Sequence, residues 1–189
     1  MVREAEPEGS APVTLGFDCS GPWVAVALLS GGEVTTDIVE MARGQGEALM
    51  PMLEELLTAH GLGYGDIQRI AVGTGPGNFT GLRLATSAAR GLSLGLQVPA
   101  LGIGALDALA EAGAENVAMP APREQSYRIV EGQISLEPRP SDSPDLTKLM
   151  SGIVTLGARA SLPAPRPAPI YLRPADAAPP RDAPPVLID

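Results

Sequence analysis

The sequence predicts an α/β fold with one complete lobe and a reduced second one. Three observations predict it. Apolar runs at 13–18, 23–29 and 34–40 are separated by short turns, as in an antiparallel meander. Two strand–helix crossovers follow them. The apolar signal then thins beyond Gly113 and gives way to a proline-rich tail.

Each element has a local reason. Residues 1–12 read as a flexible leader. Val13–Asp18 reads as a buried strand, and the Ser20-Gly-Pro22 turn leads into a second strand at Trp23–Leu29. Gly31-Gly32 turns the chain into a third strand at Val34–Glu40. Leu49, Met52, Leu53, Leu56 and His60 share one helical face, with Met50 and Leu57 beside it, which predicts a helix over about 46–60. Pro51 fits the first turn, where backbone N–H groups lack partners anyway. A strand at 70–73, a glycine loop, a helix over 80–96, a strand at 99–101 and a helix over 105–112 complete the series. The order β-β-β-α-β-α-β-α is that of a half-domain of the actin, hexokinase and Hsp70 ATPase fold. The expected fold is therefore actin-like (ribonuclease H-like), with the first lobe over 13–112. Short strands at 117–119, 127–130, 133–136 and 153–156, and a weak helix near 146–150, make a reduced second lobe over 113–162. Nine of the residues from 163 to 185 are proline, which excludes helix and central strand and leaves an extended tail over 163–189. Within it, Ile170-Tyr-Leu172 is expected to dock.

Composition narrows the function classes. With 44% hydrophobic residues among 189, the chain can bury a core, but the aromatics are few, so Leu, Val, Ile, Ala and Met must build it. The net charge of −9, with the acidic excess concentrated in residues 1–112, leaves no basic stripe for a phosphate backbone, so no direct nucleic-acid contact is expected. No apolar run reaches the ~18 residues of a membrane span, and the acidic N-terminus lacks the apolar core of a secretory signal; the expectation is a cytoplasmic protein. One cysteine, Cys19, allows no internal disulfide and is expected in the core or a turn.

The segment Gly73-Thr-Gly-Pro-Gly-Asn-Phe-Thr-Gly-Leu-Arg83 carries the strongest local signal. Gly75 and Gly77 permit a turn that side chains would block, and Thr80 is a candidate N-cap for the following helix, whose N–H groups could face an anion. The loop lacks the Lys-Ser/Thr ending of a P-loop and the spacing of a dinucleotide fingerprint, so a structural turn is the expectation ahead of a phosphate site. His60, the one histidine, is placed by pattern at a helix C-terminus near the last carbonyls, and no metal site is expected. Asp18 reads as a turn residue. No nucleophile elbow or triad is evident, and no catalytic residue is assigned. In the 80–96 helix, Leu82, Ala85, Ala89, Leu92 and Leu96 form a stripe for the sheet. A second stripe, Leu84, Ala88, Gly91 and Gly95, is apolar and nearly without side chains, which suits close approach of another helix from this chain or from a partner.

Several segments together resemble the TsaB family, bacterial tRNA threonylcarbamoyladenosine biosynthesis proteins. They are Phe17-Asp-Cys-Ser20, Leu49-Met-Pro-Met-Leu53, Gly75-Pro-Gly-Asn-Phe-Thr-Gly-Leu-Arg83, Gly91-Leu-Ser-Leu-Gly95, Val98-Pro-Ala-Leu-Gly102 and Pro169-Ile-Tyr-Leu-Arg173. The resemblance is strong over about 13–112 and thin afterwards. It implies a non-catalytic partner of TsaD, the enzyme that transfers threonylcarbamoyl to adenosine in tRNAs reading ANN codons, joined by the small ATPase TsaE. In that family the contact is a bundle of first-lobe helices, through which TsaB also self-associates. Carried onto this chain, the resemblance makes Met50, Met52, Leu56, Leu84, Ala88, Gly91 and Gly95 the partner face. It also places ATP only in the assembled complex, with no cofactor in the isolated chain. Two departures stand out: the second lobe is short for the family, and Gln45 stands where many relatives carry histidine, removing a candidate polar contact. The rival reading is a small nucleotide-dependent ATPase or phosphotransferase using Asp18 and the 75–80 loop. A metallo-glycoprotease is the third and weakest reading, because the histidine pair is missing.

Overall fold

A computed structural model describes residues 11–138 and 143–172. Most of the expected leader and the tail beyond Leu172, including Arg173 of the closing motif, lie outside the described residues. The elements run β1 (Thr14–Asp18), β2 (Trp23–Ser30), β3 (Glu33–Glu40), α1 (Gln45–Ala59), β4 (Arg69–Gly73), α2 (Phe79–Leu96), β5 (Ala100–Ile103), α3 (Ala105–Glu111), β6 (Ala118–Ala121), β7 (Gln125–Val130), β8 (Gln133–Glu137) and α4 (Leu146–Arg159). The first eight follow the expected order within one or two residues at their ends.

Five strands form one sheet in the order β3-β2-β1-β4-β5. β1, β2 and β3 pair antiparallel, while β4 pairs parallel with both β1 and β5. Meander plus crossovers is the actin-like lobe that the sequence predicts. Strand alternation sorts the side chains by size. Leu15, Phe17, Val24, Val26, Leu28, Ile70 and Val72 face α1 and α2 and form one core cluster. The opposite face presents Gly16, Ala25, Ala27 and Ala71, and this nearly flat surface lets α4 lie close, with Ile153 and Val154 over it.

That packing corrects two expectations. The strand predicted at 153–156 is the middle of a 14-residue helix. Ile153-Val-Thr-Leu156 is a β-branched run, but Leu149, Met150, Ile153, Val154, Gly157 and Ala158 recur at helical spacing and are all buried. Burial of that stripe against the sheet overrides the local strand preference. The domain division also shifts. Residues 118–137 form a separate three-stranded sheet, β6-β7-β8, whereas α4, assigned by sequence to the second lobe, covers the first sheet and packs on α3. Asp145 caps α4 by accepting from the Lys148 N–H at 3.0 Å. At its other end, Arg69 Nη1 donates to the carbonyls of Gly157 and Ala160 at 3.1 and 2.7 Å.

The α3–α4 contact requires glycine at 152, because a Cβ there would run into the Ala108 backbone. Gly152→Ala is expected to lower stability by about 1–3 kcal/mol, the usual range for overpacking a core. Gly91→Ala, on a helix surface where an added Cβ meets nothing within 4 Å, is expected to raise it by up to ~1 kcal/mol. Urea midpoints of the two variants check the contrast, and equal shifts would refute it.

Candidate functional site

A cleft of about 690 Å³ opens between the end of β1, the glycine loop, the β6–β7 sheet and the extended chain at 170–172. Its floor is organised by Asp18. The Asp18 Oδ1 accepts from the Ser20 N–H at 2.9 Å, the Ser20 hydroxyl at 2.7 Å and the Trp23 indole N–H at 2.8 Å. The carboxyl is fully buried, and Oδ2 has no hydrogen-bond partner among the described residues. Burial raises its pKa above the ordinary 3.8, against the lowering pull of those donors. Asp18 is thus the turn residue expected. Sealed beneath Trp23 and Ser20, it does not present the exposed carboxylate that the ATPase reading requires. Neighbouring Cys19 is also buried, and burial together with the Asp18 charge pushes its thiol up, away from a reactive thiolate.

The glycine loop packs onto this turn. Gly75 holds φ at +98°, a conformation open to glycine. Gly77 lies against the Ser20 backbone, where a Cβ would collide, and the Asn78 N–H donates to the Ser20 carbonyl at 2.6 Å. The expected N-cap is corrected. Asn78, not Thr80, caps α2, its Oδ1 accepting from the N–H groups of Thr80 and Gly81 at 3.0 Å each. Asparagine wins because its amide reaches two residues ahead from an extended backbone, whereas Thr80 lies inside the first turn. Two of the free donors that would attract a phosphate are therefore already satisfied by the loop itself.

Gln45, Phe79 and Tyr171 also line the cleft. Gln45, at the start of α1, donates from Nε2 to the carbonyls of Gly21 and Trp23 at 2.6 and 3.0 Å. Phe79 and Tyr171 stack with centroids 4.9 Å apart. Arg83 lies 4.0 Å over the Phe79 ring and donates from Nε to the Tyr171 hydroxyl at 2.8 Å. The 167–172 segment is tied down further by Arg90 Nε to the Pro167 carbonyl and by the Ile170 N–H to the Thr74 carbonyl, each 2.8 Å. Ile170-Tyr-Leu172 docks as the sequence suggested. The Trp23–Asp18 bond and the Arg83–Phe79–Tyr171 cluster were missed, although a lone tryptophan five residues past a strand-end aspartate is a readable signal.

The expected partner face is only partly open. Gly91 and Gly95 are exposed, Leu84 and Ala88 half-buried, and Leu94 is 81% exposed. Met50 is 41% exposed, but Met52 and Leu56 are 7% and 6% exposed and belong to the core under α1. They sit on the same helical face as Leu49 and Leu53, and α1 lies flat on the sheet, so that face is fully used. His60 sits at the α1 C-terminus, with Nδ1 2.9 Å from the Leu56 carbonyl and Nε2 3.0 Å from the Thr35 hydroxyl. Among the described residues, no three His, Cys, Asp or Glu side chains gather as a metal site. No described helix is long and apolar enough to cross a membrane.

The TsaD family model, described as tRNA N6-adenosine threonylcarbamoyltransferase, matches residues 39–127. The tRNA threonylcarbamoyladenosine biosynthesis protein TsaB of Haemophilus influenzae is 40% identical over 102 residues, covering 53% of this chain and 43% of that protein. The Escherichia coli TsaB is 34% identical over 97 residues, covering 51% and 42%. Over about half of its length, the chain is similar to these TsaB proteins. The chain spans less than half the length of these relatives. YeaZ from Pseudomonas aeruginosa superposes with a TM-score of 0.65 at 22% identity, covering 85% of this chain and 100% of that one, which shows the shared actin-like fold.

The raised Asp18 pKa sets a sign. A carboxyl more basic in the folded state binds its proton more tightly there, so its contribution favours folding at low pH and is lost as pH climbs from 3.8 through the raised value. The difference in urea midpoint between the native chain and Asp18→Asn should therefore fall as pH rises above 3.8. A flat difference would show that the carboxyl titrates normally.

Proposed function

We propose that this TsaB-family chain is the non-catalytic partner of a TsaD-type threonylcarbamoyltransferase in forming N6-threonylcarbamoyladenosine in tRNAs that read ANN codons. The observation that carries the reading is the open stripe on α2. Leu84, Ala88, Gly91 and Gly95 leave the backbone accessible, and Leu94 stands out beside them. Nothing within the described monomer approaches the position of a Cβ on Gly91 or Gly95 within 4 Å. Two helical glycines cost roughly 1 kcal/mol each against alanine, a cost that close contact with another helix offsets. Met50 on α1 extends the same apolar surface. The relatives' role in tRNA threonylcarbamoyladenosine biosynthesis supplies the pathway, and the TsaD model's match to residues 39–127 is consistent with a paralogous partner.

In this reading the chain contributes a rigid helix face, and catalysis and ATP binding belong to the partner and the assembled complex. A TsaE-type ATPase joins that assembly, and the same α2 face allows a homodimer when the partner is absent. The sealed Asp18 and the self-capped α2 terminus favour this over an ATPase acting alone. With no basic stripe, contact with tRNA falls to the partner, in the cytoplasm.

A tagged chain is expected to recover a TsaD-type protein in stoichiometric amount from its native host. Gly91→Arg should abolish that recovery while leaving the circular dichroism spectrum unchanged and the melting temperature no lower, because the guanidinium projects from an exposed site and wedges the helices apart. Pairing at unchanged affinity would place the interface elsewhere.

A further inference from the structure

Two arginines flank the open stripe of α2. Arg83 and Arg90 immediately precede Leu84 and Gly91, so both lie about 100° around the helix axis from that stripe. They are two turns apart, about 10 Å along the helix, on one side of it. Both are exposed, and the exposed Ser87 and Leu94 lie between the pair and the stripe. α2 contains no acidic residue to neutralise them.

Each guanidinium is held by one edge only. Arg83 donates from Nε to the Tyr171 hydroxyl and lies over the Phe79 ring, and Arg90 donates from Nε to the Pro167 carbonyl. The Nη groups of both have no hydrogen-bond partner among the described residues, and neither arginine forms an ion pair there. Two oriented cationic forks therefore stand open on a chain whose net charge is −9. A carboxylate fits such a fork with two parallel hydrogen bonds. Because the Nε bonds already fix both side chains, less conformational entropy is lost when carboxylates pair with them. Elsewhere on the first lobe an acidic surface meets like charge, from Glu47, Glu54 and Glu55 on α1 and from Glu33 and Asp37 on β3, all exposed. The pair thus sets both the place and the direction of docking.

We propose that the partner helix docking on α2 carries two carboxylates two turns apart along one flank, and that Arg83 and Arg90 receive them. The inference rests on the partner reading above and adds the chemistry by which the partner is chosen. α1 of this chain shows the pattern meant, with Glu47 and Glu54 exposed two turns apart. A second copy, however, brings a further net charge of −9 to the contact, which disfavours it. The TsaD model matches a span that contains α1 and α2, which favours a TsaD-type protein as the occupant.

The full chain and the TsaD-type protein of its native host are titrated together by calorimetry at low and high sodium chloride. Pairing of the native chain is expected to weaken as salt rises. The Arg83→Gln/Arg90→Gln double variant should pair about tenfold more weakly at low salt, with a flatter salt dependence. Arg83→Lys/Arg90→Lys keeps both charges while losing the Nε bonds to the 167–172 segment, so it should keep the native salt dependence. Native affinity and salt dependence in the glutamine variant would overturn the proposal. A lysine variant as flat in salt as the glutamine one would overturn it too, because anchoring of the 167–172 segment would then be the cause. Gly91→Arg, run alongside, separates the two readings. Loss of pairing there with an unaffected glutamine variant removes the carboxylate pattern and leaves the α2 face standing. A chain that pairs with its own copies and not with the TsaD-type protein overturns the proposed occupant and the proposal with it.

Discussion

The Asp18 carboxyl is the point on which the cleft is organised. It sits at the end of β1, where the chain must leave the sheet, and its Oδ1 gathers the Ser20 N–H, the Ser20 hydroxyl and the Trp23 indole within 2.9 Å. Those three bonds fix the β1–β2 turn. The turn in turn offers the Ser20 carbonyl to Asn78 and a flat backbone to Gly77, so the glycine loop is positioned by a side chain more than 50 residues away in sequence. An isolated buried carboxylate is costly. Here burial raises the pKa and Oδ2 has no partner among the described residues, so the group holds the turn at a standing electrostatic penalty that the donors to Oδ1 offset in part.

The same economy of space explains the two faces of the sheet. Large aliphatic side chains alternate with glycine and alanine along β1, β2 and β4, so α1 and α2 ride on a thick layer while α4 sits almost on the strands. Close seating of α4 removes side chains at Gly16, Gly152 and Gly157, where an added Cβ would meet Val154, the Ala108 backbone and Ala71 respectively. It also lets one helix, more than 120 residues after β1 begins, finish the lobe that the first 112 residues start. The extended 167–172 segment then returns across β4 and α2 and supplies a wall of the cleft.

Much of this was legible in the sequence, and the failures have specific causes. The first eight elements were readable because period-2 and period-3.6 patterns there are clean and are bounded by Gly and Pro. α4 was half-read, because Ile153-Val-Thr-Leu156 satisfies a strand pattern locally and only the sheet surface waiting for it makes the helix the better burial. Asn78 was passed over as the cap because Thr80 is also a good capping residue, and only the backbone of the preceding turn distinguishes them. The family likeness places Met52 and Leu56 on the partner face, outward. Their own spacing with Leu49 and Leu53 already placed them on the buried face. The cleft cluster of Arg83, Phe79 and Tyr171 joins residues 88 apart, a distance over which pattern carries no information.

The glycines divide by whether the monomer explains them. Gly77, Gly152 and Gly157 each lack a side chain because a neighbour occupies the place where it would stand. Gly91 and Gly95 have no such neighbour, and they sit in the middle and last turns of an 18-residue helix, where alanine would be the better helix former. An exposed helix that accepts that penalty twice, four residues apart on one side and next to an exposed Leu94, is unfavourable for the monomer alone. A second helix laid along the stripe reverses the balance. Backbone-to-backbone approach gains dispersion contacts along the whole stripe, and covering Leu94 and Met50 adds apolar burial of about 25 cal/mol per Å². Small residues without an internal reason are thus the feature of this chain that weighs most toward a partner, and they do so from helix energetics before any relative is considered.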